Sequence, residues 1–447
     1  MNRRHLLLGS AALAAAGALG LPAARAQSGS GVLTIWHAMS GALGDEVNKV
    51  CAAFNAAQGA VRVEPIFKGN YTETMTAAVA AFRAGQAPHL VQVFEVGTGS
   101  MLGAGAAVRQ AWQLAEESGH PIDPAVYVEA VRGYYSLPDG RMASTPFNSS
   151  TPVTWINATL FERAGLDPSK PPATWEEVVA AGTALKAKAG AKVPVSTAWP
   201  SWILMENYGA IHDLPYATKA NGFEGLDAEL VFNTPPYVKQ IQRLLDMAKD
   251  GTFVYAGRGA SGDQVFPAGD CGMSFNSSGA RAGFVRDAKF PFKAVLLPYD
   301  PQVKAAPNNS IIGGASLWAM TAPSRTPAEY AAAAAFLRFL AEPKTDARWA
   351  EATGYVPVTH GGGDVLKAEG FYARNPDAEI PVQQLKRGTV TVNSKGLRLG
   401  RLPEIRTILE EELEAALQGR QSAQTALDSA VARGNKVLRD FERSMRG

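Results

Sequence analysis

The residues that could do chemistry in this chain are arranged for holding a ligand, and the usual groupings that break bonds are missing. There is no G-x-S-x-G elbow, no G-x-x-x-x-G-K phosphate loop and no H-E-x-x-H zinc pair. The six histidines, His5, His37, His89, His120, His212 and His360, are scattered, with no two at metal-ligand spacing. His37 follows Trp36 at a strand end, where a lone histidine more often packs than binds. What remains is a set of polar and aromatic side chains in strand exits and loops, the usual carriers of function on an α/β scaffold. Tyr71 closes the stretch Lys68-Gly69-Asn70-Tyr71 after one strand, and Glu95 follows another. A carboxylate just past an apolar strand is costly unless solvated or paired. A helix cap or a buried salt bridge would serve it as well as a ligand. Trp199 and Trp202 flank Pro200-Ser201 and offer flat walls with a donor edge, for stacking or for the core. Asn276-Ser277-Ser278-Gly279 echoes Asn148-Ser149-Ser150. Such stretches can present donors to an anion and are also plain turn chemistry.

These residues need a frame. Residues 32–36, Val61–Phe67 and Leu90–Phe94 read as strands, and residues 44–57 and 71–84 as helices with apolar positions at helical spacing. The β-α-β-α-β order predicts a parallel sheet covered by helices, with ligands collecting beyond the carboxyl ends of its strands. The polar segment between Pro146 and Pro152 is placed to cross between two lobes. A strand at 153–156 and a helix at 159–164 follow. Thr174 with Glu177 forms a capping box opening a helix over 175–188. Thr326-Pro327-Ala328-Glu329 forms another, with proline at the first helical position, for a helix ending near 341. Residues 311–318 read as a strand in which Gly313-Gly314 permits either close backbone approach or a bulge. Residues 403–445 read as helix broken near Gly419.

At 447 residues the chain is too long for one ordinary core, and two domains are expected. A formal net charge of +2 gives no electrostatic case for nucleic acid. Two cysteines are too few for a disulfide framework; Cys51 reads as helical and Cys271 as strand, which favours two free buried thiols over a bridge. The start, Asn2-Arg3-Arg4-His5-Leu6-Leu7-Leu8, leads through a Leu/Ala run to Ala24-Arg25-Ala26. That is the pattern of an export signal over residues 1–26, of the twin-arginine kind, cleaved near Ala26 into the periplasm.

Several motifs occur in an order that resembles the extracellular solute-binding proteins of carbohydrate-type ABC importers. They are Leu160-Phe161-Glu162-Arg163-Ala164-Gly165-Leu166, Pro171-Pro172-Ala173-Thr174-Trp175-Glu176-Glu177, Gly269-Asp270-Cys271-Gly272-Met273 and Thr353-Gly354-Tyr355-Val356-Pro357-Val358. A narrower set is similar to the branch that takes glycerol 3-phosphate: Trp36-His37, Lys68–Tyr71, Glu95-Val96-Gly97-Thr98, residues 146–152, residues 311–318, Lys395-Gly396-Leu397-Arg398-Leu399-Gly400 and Pro403-Glu404-Ile405-Arg406. Phe94 and the segment 390–394 depart from that pattern.

The resemblance implies a two-lobed periplasmic binding protein fold of type II, with more than one crossover. Residues 27–147 plus 305–345 would form one lobe, and 148–304 plus 346–447 the other. It implies a cleft whose contacts fall on Tyr71, Glu95, Ser150, Trp199, Ser277, Gly314, Tyr355 and Arg406, with Trp202 a weaker candidate. Arg398 is the rival to Arg406 and is expected to be structural. The implied ligand is sn-glycerol 3-phosphate or a glycerophosphodiester such as glycerophosphocholine. The implied partner is a membrane permease, with no cofactor, no metal and a monomeric state. Two rivals stand beside this: a binder of neutral sugars on the same fold, and an exported glycerophosphodiester hydrolase, which would need a metal cluster or an activated nucleophile.

Overall fold

The computed structural model describes residues 31–446 except His120 and Ile122, and the export-signal stretch lies outside the described residues. Eleven strands form two sheets: β1 (Gly31–His37), β2 (Val61–Phe67), β3 (Leu90–Phe94), β4 (Val108–Arg109), β5 (Thr145–Ser150), β6 (Pro152–Asn157), β7 (Val193–Thr197), β8 (Phe253–Tyr255), β9 (Cys271–Ser277), β10 (Phe292–Val295) and β11 (Gly313–Met320). The first sheet runs β2-β1-β3-β11-β4, with β5 also on β11; the second runs β10-β6-β9-β7-β8.

β1 pairs in parallel with β2 and β3, as the β-α-β-α-β pattern requires. The expectation of a wholly parallel sheet needs correction. β11 enters from a distant part of the chain and lies antiparallel to β3, β4 and β5. An apolar run carries no sign of strand direction, so the sequence pattern could not show this. β3 reads Leu-Val-Gln-Val-Phe and is buried throughout, as expected for a strand covered on both faces.

The chain passes between sheets where β5 ends at Ser150 and β6 begins at Pro152. The segment Asn148-Ser149-Ser150 is therefore strand, not turn. The chain comes back between β10 and β11, across residues 296–312. Helix Leu402–Leu417 packs near both the turn that follows β3 and the turn that follows β7.

Local signals set the helix starts. Thr174 and Thr326 each accept the N–H of a glutamate three residues on, and each glutamate returns a bond to the cap backbone. A further capping box, Asn70 with Glu73, opens helix Tyr71–Arg83 and was not picked out from sequence. Its glycine partner Gly69 has φ +88°, and a Cβ there would meet the Glu73 carboxylate at 2.1 Å. Cys51 and Cys271 are both buried and free. His37 is a packing residue: it is buried, its Nδ1 accepts the Met39 N–H at 3.3 Å, and burial lowers its pKa to about 4.

Of the two readings weighed for the glycine pair on β11, close backbone approach holds at Gly314, and the irregularity in pairing falls just beyond the pair. The register slips between Ala315 and Ser316. Gly314 has φ +105°, and a Cβ there would lie 2.1 Å from the Asn148 carbonyl oxygen. Gly314→Ala should lower the unfolding free energy by about 2 kcal/mol, from left-handed strain plus a backbone clash. Urea denaturation would measure it, and a loss below ~0.5 kcal/mol would contradict the close approach.

Candidate functional site

A cavity of about 300 Å³ opens between the two sheets. Tyr71, Glu95, Ser150 and Gly314 reach it from the first sheet and its connections; Trp199, Trp202 and Ser277 reach it from the second. Tyr355, after helix Pro343–Thr353, and Arg406, on helix Leu402–Leu417, complete the set. All nine residues singled out in the sequence line this one cavity.

Each arrives by a local mechanism. Tyr71 is the first residue of the helix capped by Asn70. Its ring stacks on Phe94, with centroids 5.2 Å apart. Its hydroxyl accepts from Asn148 Nδ2 at 3.1 Å. Asn148 Oδ1 in turn accepts from Gln92 Nε2 at 2.8 Å, and Gln92 Oε1 accepts the Ala38 N–H at 2.8 Å. This buried chain of amides fixes the tyrosine from strands β3 and β5, at positions that an apolar reading of β3 passes over. Tyr355 stacks on Trp349 with an interplanar angle of 2°. Gly279 leaves room for it, since a Cβ there would come within 2.6 Å of the Tyr355 ring. Ser277 ends β9, and its hydroxyl accepts the Gly279 N–H at 3.1 Å.

Trp199 has φ +50°, a left-handed backbone that a tryptophan adopts only under constraint. Its N–H donates to the Gly259 carbonyl at 2.7 Å. A π-helical turn follows, Ser201–Glu206. Trp202 therefore sits in a helical turn and not in the loop expected from sequence. It is buried against Gly313, where a Cβ would lie 2.5 Å from its ring. Its indole N–H has no hydrogen-bond partner among the described residues.

The electrostatic centre is Arg406. Its Nε donates to Glu206 Oε1 at 2.7 Å, and its Nη2 donates to Glu206 Oε2 at 2.7 Å and to Glu95 Oε1 at 2.8 Å. Arg406, Glu95 and Glu206 are 7%, 4% and 1% exposed. Burial opposes the charge on Arg406, yet the two carboxylates outweigh it and hold its proton more tightly than usual. Burial raises the Glu95 carboxyl to about 7, with Arg406 pulling down and Glu206 pushing up. Two carboxylates against one guanidinium leave no net positive charge for an incoming anion.

Glu206 was not anticipated, although it is the one carboxylate between Val193 and Ile211 in an otherwise apolar and neutral run. Asp263 was also missed. It lines the cavity, accepts from Asn276 Nδ2 at 3.0 Å, and burial raises it to about 6. Its surroundings, Gly262 and Gln264 in a 3₁₀ turn, carry no signal beyond ordinary turn composition. Arg398 lines a different cavity; its Nη2 donates to the Tyr134 carbonyl at 2.7 Å. Among the described residues no cluster of histidine, cysteine, aspartate or glutamate is placed to hold a metal.

Two α/β lobes with a polar, aromatic cleft between them define a ligand-binding protein of the periplasmic type. The family of bacterial extracellular solute-binding proteins matches residues 49–379, and the chain belongs to it. It is 44% identical over 432 residues to the sn-glycerol-3-phosphate-binding periplasmic protein UgpB of Pectobacterium atrosepticum, covering 96% of both chains. The UgpB of Salmonella typhimurium is 42% identical over 432 residues, covering 96% of this chain and 98% of that one. Among solved structures, UgpB from Mycobacterium tuberculosis in complex with glycerophosphocholine superposes with a TM-score of 0.76 at 22% identity, covering 92% and 99% of the two chains. Maltose-bound MalE3 of T. maritima gives 0.72 at 16%, covering 92% and 100%. These two likenesses establish the fold.

Arg406→Ala would strand two buried carboxylates. The ligand-free protein should lose about 3–5 kcal/mol of stability, and a loss under ~1 kcal/mol in urea unfolding would contradict the buried network. The pH response has a defined sign. Because the folded-state pKa of Glu95 lies near 7, above the ordinary 4.5, the folded protein binds this proton more tightly. The contribution of Glu95 to stability is therefore greatest at low pH and falls as pH rises from about 4.5 to about 7. Glu95→Gln should remove that slope, and an unchanged slope in pH-dependent unfolding would reject the assignment.

Proposed function

We propose that this chain is the periplasmic binding component of an ABC importer that captures sn-glycerol 3-phosphate or a glycerophosphodiester such as glycerophosphocholine. It delivers the ligand to a membrane permease as a monomer, and no bond is broken. Residues 1–26 serve as the export signal. Residues 27–147 plus 305–345 make one lobe and 148–304 plus 346–447 the other, and the two close on the ligand by a hinge motion. The observation that carries this reading is that one inter-sheet cavity gathers all nine positions. Similarity to the glycerol-3-phosphate-binding relatives along nearly the whole chain supports it.

The chemistry of the lining assigns roles. Glu95, acceptor-only when ionised, takes the glycerol hydroxyls; facing a phosphate it would repel. Ser150, Ser277 and the Gly314 N–H supply neutral donors to the phosphate oxygens. Tyr71 and Tyr355 add hydroxyls, and Trp199 stacks on the glycerol carbons. Arg406 orients Glu95, with Nη1 left to reach a ligand oxygen.

Calorimetry with sn-glycerol 3-phosphate, glycerophosphocholine and maltose tests the ligand class. The expected result is saturable binding of at least one phosphate compound and none of maltose. Binding of maltose alone would establish the sugar reading, and choline released from glycerophosphocholine would establish a hydrolase. Glu95→Gln should weaken the phosphate ligand about tenfold or more, as loss of a charge-assisted hydrogen bond costs roughly 1.5–3 kcal/mol. Trp199→Ala should weaken it as well, and unaltered affinity in either variant would remove that residue from the site.

A further inference from the structure

A second cavity, of about 550 Å³, shares no lining residue with the cleft. Three cations stand on its walls, Arg132, Lys395 and Arg398, against one carboxylate, Glu224. Elsewhere arginines are well matched: Arg433 meets Glu411 and Glu412, and Arg348 meets Glu351 and Glu369. None of the three cavity cations has a carboxylate partner among the described residues. Lys395 Nζ and Arg398 Cζ instead lie 4.6 and 4.3 Å from the centroid of the same ring, Phe223. One aromatic ring cannot neutralise two like charges. Arg398 Nε is buried with no hydrogen-bond acceptor among the described residues, and burial lowers the pKa of this guanidinium to about 10. An uncompensated, partly desolvated guanidinium is expensive unless something supplies the missing acceptor.

The backbone around the cavity is also held in an unfavourable state. Lys219, Ala220 and Asn221 are consecutive left-handed residues, at φ 54°, 49° and 56°. Such a run is strained for side-chain-bearing residues and persists only where its surroundings enforce it. Asn221 Oδ1 accepts the N–H groups of Tyr216 and Ala217 at 3.0 and 2.9 Å, and its carbonyl accepts the Arg398 N–H at 2.9 Å. The strained turn is thus tied to Arg398, and it sets Phe223 under the two cations.

We propose that this cavity is a second anion site, separate from the cleft, that takes a small phosphate-type dianion. Three positive side chains against one negative leave an excess of two, which a dianion neutralises. Arg132 offers a planar donor fork suited to phosphate oxygens, Arg398 adds its remaining Nη1 group beside the Nη2 held by the Tyr134 carbonyl, and Lys395 adds a mobile point charge. Leu137 and Phe223 add apolar lining. Glu224, also in the lining, disfavours a larger polyanion by repulsion.

The test is calorimetric titration of inorganic phosphate into three proteins: the native chain, the double variant Arg132→Gln/Lys395→Gln, and the cleft variant Ser150→Ala/Ser277→Ala. Circular dichroism and thermal unfolding establish that each variant is folded. The native chain and the cleft variant should show saturable phosphate binding, at least about tenfold weaker in the double variant. The cleft variant lacks the serine donors proposed for the cleft's phosphate, so the binding it retains reports the second cavity apart from the reading given for the cleft. Equal binding in the double variant, loss of all binding in the cleft variant, or no saturable binding in the native chain would each overturn the proposal.

Discussion

The buried contact of Arg406 with Glu95 and Glu206 constrains everything around the cleft. It joins three distant parts of the chain: the turn leaving β3, the π-helical turn after β7, and helix Leu402–Leu417. One of these belongs to the first sheet's connections and another to the second's, so a single guanidinium spans the cleft floor. Such a charge is tolerated out of water only because both carboxylates meet it at hydrogen-bond distance. Around it, Ser201 donates to Glu410 at 2.9 Å, another buried carboxylate on the same helix. The floor is therefore acidic overall, even though it holds an arginine.

That constraint bears on how an anionic ligand would be received. The chemical instinct is to give the phosphate to Arg406. Two of its three nitrogens are already committed to carboxylates, and breaking either pair would expose a buried charge. On the proposed reading, the phosphate goes to hydroxyls and backbone N–H groups of the cavity lining, and the glycerol end goes to Glu95. The aromatic walls, Tyr71 on Phe94 and Tyr355 on Trp349, are rigid stacked pairs, so little side-chain entropy is lost on binding.

Much of the frame was legible in the sequence, for physical reasons that can be named. Val61–Phe67 and Leu90–Phe94 alternate or run apolar as strands must, and the capping boxes at Thr174 and Thr326 specify helix starts through side-chain geometry alone. The antiparallel insertion of β11 was not legible, because strand direction is decided by long-range connections. The nine cavity positions were legible through resemblance, not through spacing; Tyr71 and Arg406 are separated by most of the chain. Glu206 left a faint trace as a single carboxylate in an apolar run. Asp263 left none, since a Ser-Gly-Asp-Gln turn looks the same whether it faces a ligand or water. The π-helical winding that places Trp202 is likewise invisible, because its sequence reads as ordinary helix or loop.

On the proposed reading, Arg406 stays bound to its two carboxylates while neutral donors receive the phosphate. A crystal structure of the protein with sn-glycerol 3-phosphate tests it most directly. The expected result is phosphate oxygens within hydrogen-bond distance of Ser150, Ser277 or the Gly314 N–H, glycerol hydroxyls on Glu95, and both Arg406 ion pairs intact. A phosphate seated on Arg406 with Glu95 or Glu206 displaced would contradict it.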